Sequence, residues 1–166
     1  MKMMRGKTSA LLSYCAEAGI CIGEGRTPQT SERAAKMSEF AMNCGLSFQM
    51  KDDLLGVFGD EAKFGKPIGS DIREGKRTVL MLRAMDGATV AERSRLEELL
   101  GKADATVDEI DEARRIVIRT GADNVVAELS DKFIDKALAI LEETIPESDA
   151  KECLRLWTLS LVARTV

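Results

Sequence analysis

Apolar residues recur along this chain in alternating steps of three and four, the period of one face of an α-helix, and no stretch has the residue-by-residue alternation of a strand. Met4, Thr8, Leu11, Cys15, Ala18 and Ile22 form the first such stripe and predict a helix over residues 2–22. Glu17 is the only charge between Lys7 and Glu24, so this helix is apolar on most sides and is expected to be covered by several neighbours. Residues 23–29 read as a turn. Thr27 before Pro28 suits an N-cap followed by proline at the first helical position. A long helix is then expected to about Leu55, burying Ala34, Met37, Ala41, Cys44 and Phe48. The small residues Ala34, Ala41 and Gly45 would let it pack closely.

Residues 56–75 read as a loop, followed by a short helix after Thr78 with Val79, Leu82 and Met85 inward. Asp86-Gly87 ends it. Thr89 restarts a helix to about Leu100, and Gly101 is its C-terminal stop. Residues 106–119 are amphipathic, with Val107, Ile110, Ala113 and Val117 facing in. Acids come early and Arg114, Arg115 and Arg119 late, an order that complements the helix dipole. Residues 123–144 carry Val126, Leu129, Phe133, Ala137 and Ile140 on one face, and Pro146 blocks continuation. Residues 148–164 form the last helix, with Leu154, Trp157 and Leu161 buried. The pattern predicts an all-α helical bundle.

Composition narrows this little but excludes much. A chain of 166 residues can fold as a single domain, 1–166, with an ordinary 45% hydrophobic and 31% charged composition. The net charge of −4 argues against nucleic-acid binding. No apolar run reaches the length of a membrane span. The amino end only faintly resembles a signal peptide, because Lys7, Ser13 and Glu17 interrupt it. There is no histidine, which excludes His-based acid–base chemistry and His-ligated zinc. Cys15, Cys21, Cys44 and Cys153 form no Cys-x-x-Cys pair, so reduced thiols and a cytoplasmic location are expected.

Candidate chemistry concentrates in residues 48–78. Phe48, Gln49, Asp52 and Asp53 lie three or four apart and share a helical face. Adjacent carboxylates repel unless a cation lies between them. A hard divalent ion such as Mg²⁺ suits oxygen ligands and keeps waters to exchange for a substrate phosphate. The segment that follows is rich in glycine, which admits close backbone approach, and Lys63, Lys66 and Lys76 add positive charge. Asp71 and Glu74 flank these lysines as solvating charges. An acidic face beside a basic loop suits a metal-bound, multiply charged phosphate ester.

Phe48-Gln49-x-x-Asp52-Asp53, then Gly65-Lys66-x-x-Gly69-x-Asp71, then Gly75-Lys76-x-Thr78, resembles the second aspartate-rich region of the trans-polyprenyl diphosphate synthases. Lys7-Thr8 followed by Ala10-Leu11-Leu12 is similar to that family's Lys-Thr-x-x-Leu segment. The resemblance implies a helical bundle of the isoprenoid synthase type. It implies that Asp52 and Asp53 hold Mg²⁺ and that Lys7, Lys66 and Lys76 bind diphosphate oxygens. Thr8, Gln49 and Phe48 would shelter an allylic cation, with Lys7, Thr8, Gln49 and Asp52 as the catalytic set. The substrates implied are an allylic diphosphate and isopentenyl diphosphate, joined by ionisation, condensation and elimination. Gly56 stands where the motif has a third acid, and Asp60 is within reach only if the helix continues.

The resemblance covers the whole chain but only the C-terminal half of the family's fold. The first aspartate-rich region is absent, so the chain alone is expected to have little or no activity. A homodimer, or association with the missing N-terminal half, is the expected assembly. The alternative is a non-catalytic partner subunit of a prenyl diphosphate synthase. A terpene cyclase shares the architecture, but Lys76-Arg77-Thr78 argues against it.

Overall fold

A computed structural model describes residues 5–59 and 69–163. Among them the ordered elements are all helical, with eight α-helices: α1 (Ala10–Glu24), α2 (Glu32–Phe58), α3 (Ser70–Arg73), α4 (Val79–Gly87), α5 (Val90–Leu99), α6 (Val107–Arg119), α7 (Ala122–Thr144) and α8 (Asp149–Val162). A π-helical turn, Arg5–Ser9, leads into α1, and a 3₁₀ turn, Pro28–Thr30, precedes α2. No described helix is long and apolar enough to cross a membrane.

The chain divides into two compact units. The first comprises Met1–Gln49 and Leu129–Thr165, the second Met50–Glu128 with Val166. In the first unit, Met37, Phe40, Ala41 and Cys44 of α2 and Ala137 and Leu141 of α7 make the core. Leu12, Ala16, Ile20, Leu154 and Leu161 pack against it. In the second unit α4, α5 and α6 meet pairwise, and Ile72, Leu80, Leu96, Ile110 and Val117 are fully buried.

Helix boundaries follow local signals. Thr78, Thr89, Thr106 and Ser148 cap α4, α5, α6 and α8, each accepting a backbone N–H of the first turn. Glu92 and Glu109 complete reciprocal capping boxes. Thr27 does the same for the 3₁₀ turn rather than for α2 itself. Helix α2 runs one turn beyond the expected end, through Phe58.

Four buried faces differ from expectation. On α1, Leu11 is 68% and Ile22 82% exposed, and Cys15 is exposed, so the apolar stripe is not the covered side. The covered side carries Ser9, Leu12, Ser13, Ala16 and Ile20. Serine reads as polar in a periodicity count, yet Ser13 Oγ donates to the Ser38 carbonyl at 3.0 Å and is satisfied in the interior. On α4 the inward set is Leu80, Met81, Ala84 and Met85, and Leu82 is exposed. On α6, Val107 is exposed at the first helical position while Ile110, Ala113, Ile116 and Val117 are buried. On α8, Trp157 is 38% exposed, and Lys151 and Thr158 take the interior. Thr158 donates to the Leu154 carbonyl at 2.8 Å, and the Lys151 ammonium bonds Glu142 and Glu147 at 2.6 Å each. Polar groups with hydrogen-bond or ion-pair partners thus displace the larger apolar ones.

Candidate functional site

Within the first unit, the π-turn carrying Lys7 and Thr8 lies against α2. The contact is made by Ser9 and Gly45. A Cβ built on Gly45 would come within 2.7 Å of Ser9 Oγ and 2.8 Å of Ser9 Cα, so only glycine admits this approach. Gln49 lies one turn beyond Gly45 on the same face of α2. Thr8 meets it there, donating its hydroxyl proton to Gln49 Oε1 at 2.8 Å. Thr8, Phe48 and Gln49 are half-buried and Lys7 is exposed. The structure therefore joins the Lys-Thr segment to the Phe-Gln segment. Ser9 Oγ is buried without a hydrogen-bond partner among the described residues.

Within the second unit, α2 continues with Asp52, half-buried, and Asp53, 5% exposed. Among the described residues no three His, Cys, Asp or Glu side chains converge as a preformed metal site. The donor set still fits Mg²⁺, which is bound through one or two carboxylates with water and substrate phosphate completing its octahedron. Lys66, Lys63 and Asp60 lie outside the described residues, so the Lys66 assignment is not placed.

The stretch 56–75 is not all loop: α2 runs on to Phe58, the short helix α3 carries Asp71, and the turn after it brings Lys76 and Thr78. Asp71 is not the solvated charge that its basic neighbours suggest. It is 5% exposed, and its carboxylate rests on Gly56. Lys76 Nζ bonds Asp71 Oδ1 at 2.7 Å and Glu74 Oε2 at 2.9 Å. The Lys76 backbone N–H also donates to the Asp71 carbonyl at 3.0 Å. Gly75, at φ +68°, supplies the left-handed residue this tight return needs. The Asp71 carboxylate hydrogen-bonded to the Lys76 ammonium, with Glu74 adding to it, raises the Lys76 pKa above the ordinary lysine range. Thr78 caps α4 by accepting the Met81 N–H at 3.2 Å. Arg114 Nε donates to the Val57 carbonyl at 2.7 Å in the last turn of α2.

The sequence places Asp71 in its motif but as a solvating charge rather than a buried one, and it gives no sign of Ser9. The signal for Asp71 was the glycine at position 56. An acidic motif that lacks its last side chain leaves a space on the helix surface, and a neighbour fills it.

A family model described as polyprenyl synthetase matches residues 1–117. The chain is similar to the geranylgeranyl diphosphate synthase of Saccharolobus solfataricus, 38% identical over 149 residues, which span 90% of this chain and 43% of that one. Its fold is similar to the crystal structure of geranylgeranyl pyrophosphate synthetase from Pyrococcus horikoshii, with a TM-score of 0.87 and 33% identity over 99% of this chain and 48% of that one. It is similar also to geranylgeranyl pyrophosphate synthase from Corynebacterium glutamicum complexed with isoprenyl diphosphate and magnesium, with a TM-score of 0.76 and 30% identity over 83% of this chain and 40% of that one. The chain thus spans less than half the length of each of these relatives.

Proposed function

Because the chain belongs to the polyprenyl synthetase family, we propose that it carries part of the active site of a short-chain trans-prenyltransferase, which joins isopentenyl diphosphate to an allylic diphosphate. The observation that carries this reading is the 2.8 Å bond between Thr8 and Gln49. It unites two motif segments 41 residues apart in sequence.

In the reading, Asp52 and Asp53 hold Mg²⁺, the metal named with the Corynebacterium relative. The ion, when bound, neutralises charge on the diphosphate oxygens and makes pyrophosphate a better leaving group. Lys7, Lys66 and Lys76 would each offer an ammonium to diphosphate oxygens. The allylic carbon–oxygen bond breaks and its electron pair leaves with pyrophosphate. Thr8 Oγ1 and Gln49 Oε1 turn their lone pairs toward the allylic cation, and Phe48 excludes water from it. The isopentenyl double bond then forms the new carbon–carbon bond, and loss of one proton, taken up by the departing pyrophosphate, regenerates an alkene. We assign the reaction to the cytoplasm, where the four cysteines, all free, would stay reduced.

The test is a radiolabelled condensation assay on a chimera. This chain replaces the corresponding segment of a full-length relative, and Mg²⁺, isopentenyl diphosphate and geranyl or farnesyl diphosphate are supplied. A prenyl diphosphate product one or more isoprene units longer is expected. A folded chimera without product overturns the reading. The chain alone carries a single acidic segment, and little or no turnover is expected from it.

A non-catalytic partner subunit is the second reading, favoured by the exposure of Leu11, Tyr14 and Ile22 along α1. Co-purification with a full-length synthase, with a shift in its product length and no effect of Asp52→Asn, would favour it.

A further inference from the structure

At position 56 a side chain is missing and another has moved in. A Cβ built on Gly56 would come 2.3 Å from both Cγ and Oδ2 of Asp71 and 2.8 Å from Oδ1. The first distance is far inside van der Waals contact, about one and a half carbon–carbon bond lengths. The Asp71 carboxylate therefore occupies the volume that any residue-56 side chain would enter. Cα–Cβ bonds tilt toward the helix N-terminus, so it lies on the Asp52 side of Gly56. Asp52 is four residues back, about 5–6 Å away on the same face.

The pair is built, not incidental. A carboxylate on a side chain only 7% exposed needs a cation or hydrogen bonds to stay charged, and Lys76 provides both at 2.7 Å. The ammonium has three donors. Asp71 and Glu74 take two. The Lys76 side chain remains 44% exposed, which leaves the third donor open to a ligand oxygen.

We propose that Gly56 is the seat for the Asp71 carboxylate, and that Asp71, held there, is a positioning residue that sets the Lys76 ammonium over the helix face carrying Asp52, ready for a diphosphate oxygen. The proposal rests on the diphosphate reading above. Its consequence runs against the family pattern. Restoring an acid at position 56 does not add a ligand. It makes the Asp71 carboxylate shift from its seat, and the Lys76 ammonium with it.

The experiment uses the whole chain, Mg²⁺ and inorganic pyrophosphate, with binding followed by calorimetry, and the Lys76 ammonium followed by NMR without ligand. Gly56→Asp, Gly56→Ala and Asp71→Gly are each expected to weaken pyrophosphate binding at least tenfold and to speed exchange of the Lys76 ammonium protons. The double variant Gly56→Asp/Asp71→Gly moves the carboxylate to the other chain segment. It is expected to recover binding to within about threefold of wild type, which a merely structural role for either residue would not produce. Where Gly56→Asp fails to fold, Asp71→Asn carries the test. It keeps the shape, and weakened binding at an unchanged melting temperature supports the proposal. Wild-type binding with Gly56→Ala and Asp71→Asn unchanged overturns the proposal alone. Slow Lys76 exchange in wild type without pyrophosphate binding overturns the diphosphate reading and the positioning role with it.

Discussion

Ser9 packs directly on Gly45, its Oγ 2.7 Å and its Cα 2.8 Å from where a Gly45 Cβ would stand. One turn further along α2, this approach delivers Thr8 to Gln49. A buried serine and a glycine thus set the approach that brings the Thr8 hydroxyl to Gln49.

Gly45→Ala tests that dependence. A methyl group in this contact forces helix and π-turn apart, and overpacking of this kind costs roughly 1–3 kcal/mol. Gly19 is the internal control. It lies within α1 with nothing within 4 Å of its would-be Cβ. Gly19→Ala is therefore expected to stabilise by up to about 1 kcal/mol through helix propensity. Urea unfolding midpoints of the two variants should move in opposite directions.

The Thr8–Gln49 bond is measurable as a coupling. Thr8→Val and Gln49→Leu each remove one partner, and the double variant removes both. A double-mutant cycle on unfolding free energy is expected to return about 0.5–1.5 kcal/mol, the net worth of a neutral side-chain hydrogen bond. Strict additivity would mean that the two groups are neighbours without interaction.

Much of this was legible in the periodicity. The helical class and most helix ends follow from caps and spacing, as Thr89 with Glu92 and Thr106 with Glu109 illustrate. The motif residue Gln49 was readable because spacing along α2 fixes its face, and Thr8 because it stands in the Lys-Thr segment. What escaped was the burial of polar groups. Ser13 is buried because Ser38 answers it, and Lys151 because Glu142 and Glu147 do. Ser38 and Glu142 lie on other helices, where no local pattern announces them, and the i,i+4 spacing of Glu147 and Lys151 does not by itself signal burial. Asp71 is the instructive case. Its burial depends on an absence at Gly56, which a motif search registers as a defect and the structure uses as a space.

The cysteines give a pH-dependent prediction. Cys15 and Cys153 are exposed, Cys21 and Cys44 buried. Burial raises the Cys44 pKa from 9.0 to about 11. A thiol that keeps its proton in the folded state while the unfolded chain ionises at lower pH stabilises the fold only below the unfolded value. Stability from this group is therefore complete below pH 9 and declines between pH 9 and about 11. At pH 8, iodoacetamide with mass-spectrometric mapping is expected to modify Cys15 and Cys153 at once and Cys44 only on unfolding. Cys44→Ala should flatten the decline above pH 9. Early labelling of Cys44 in the folded protein would contradict its burial.

Asp52→Asn in the active chimera addresses the metal directly. Asp52 is the more exposed of the two acids, so it is the one open to a solvent-borne ion and its waters. The amide keeps the shape and one acceptor oxygen but removes the charge that holds a divalent cation. Loss of one preorganised electrostatic contact at a developing charge lowers rate by about 10²–10³-fold, and a fall in kcat of that size is expected. The half-saturating Mg²⁺ concentration should rise with it, because the missing charge weakens the ion's site as well as the leaving group's stabilisation. Chelation by EDTA should abolish condensation in the parent chimera, with full recovery on adding Mg²⁺. A normal Mg²⁺ response in Asp52→Asn would place the ion elsewhere, and the role given to these adjacent acids would pass to other residues.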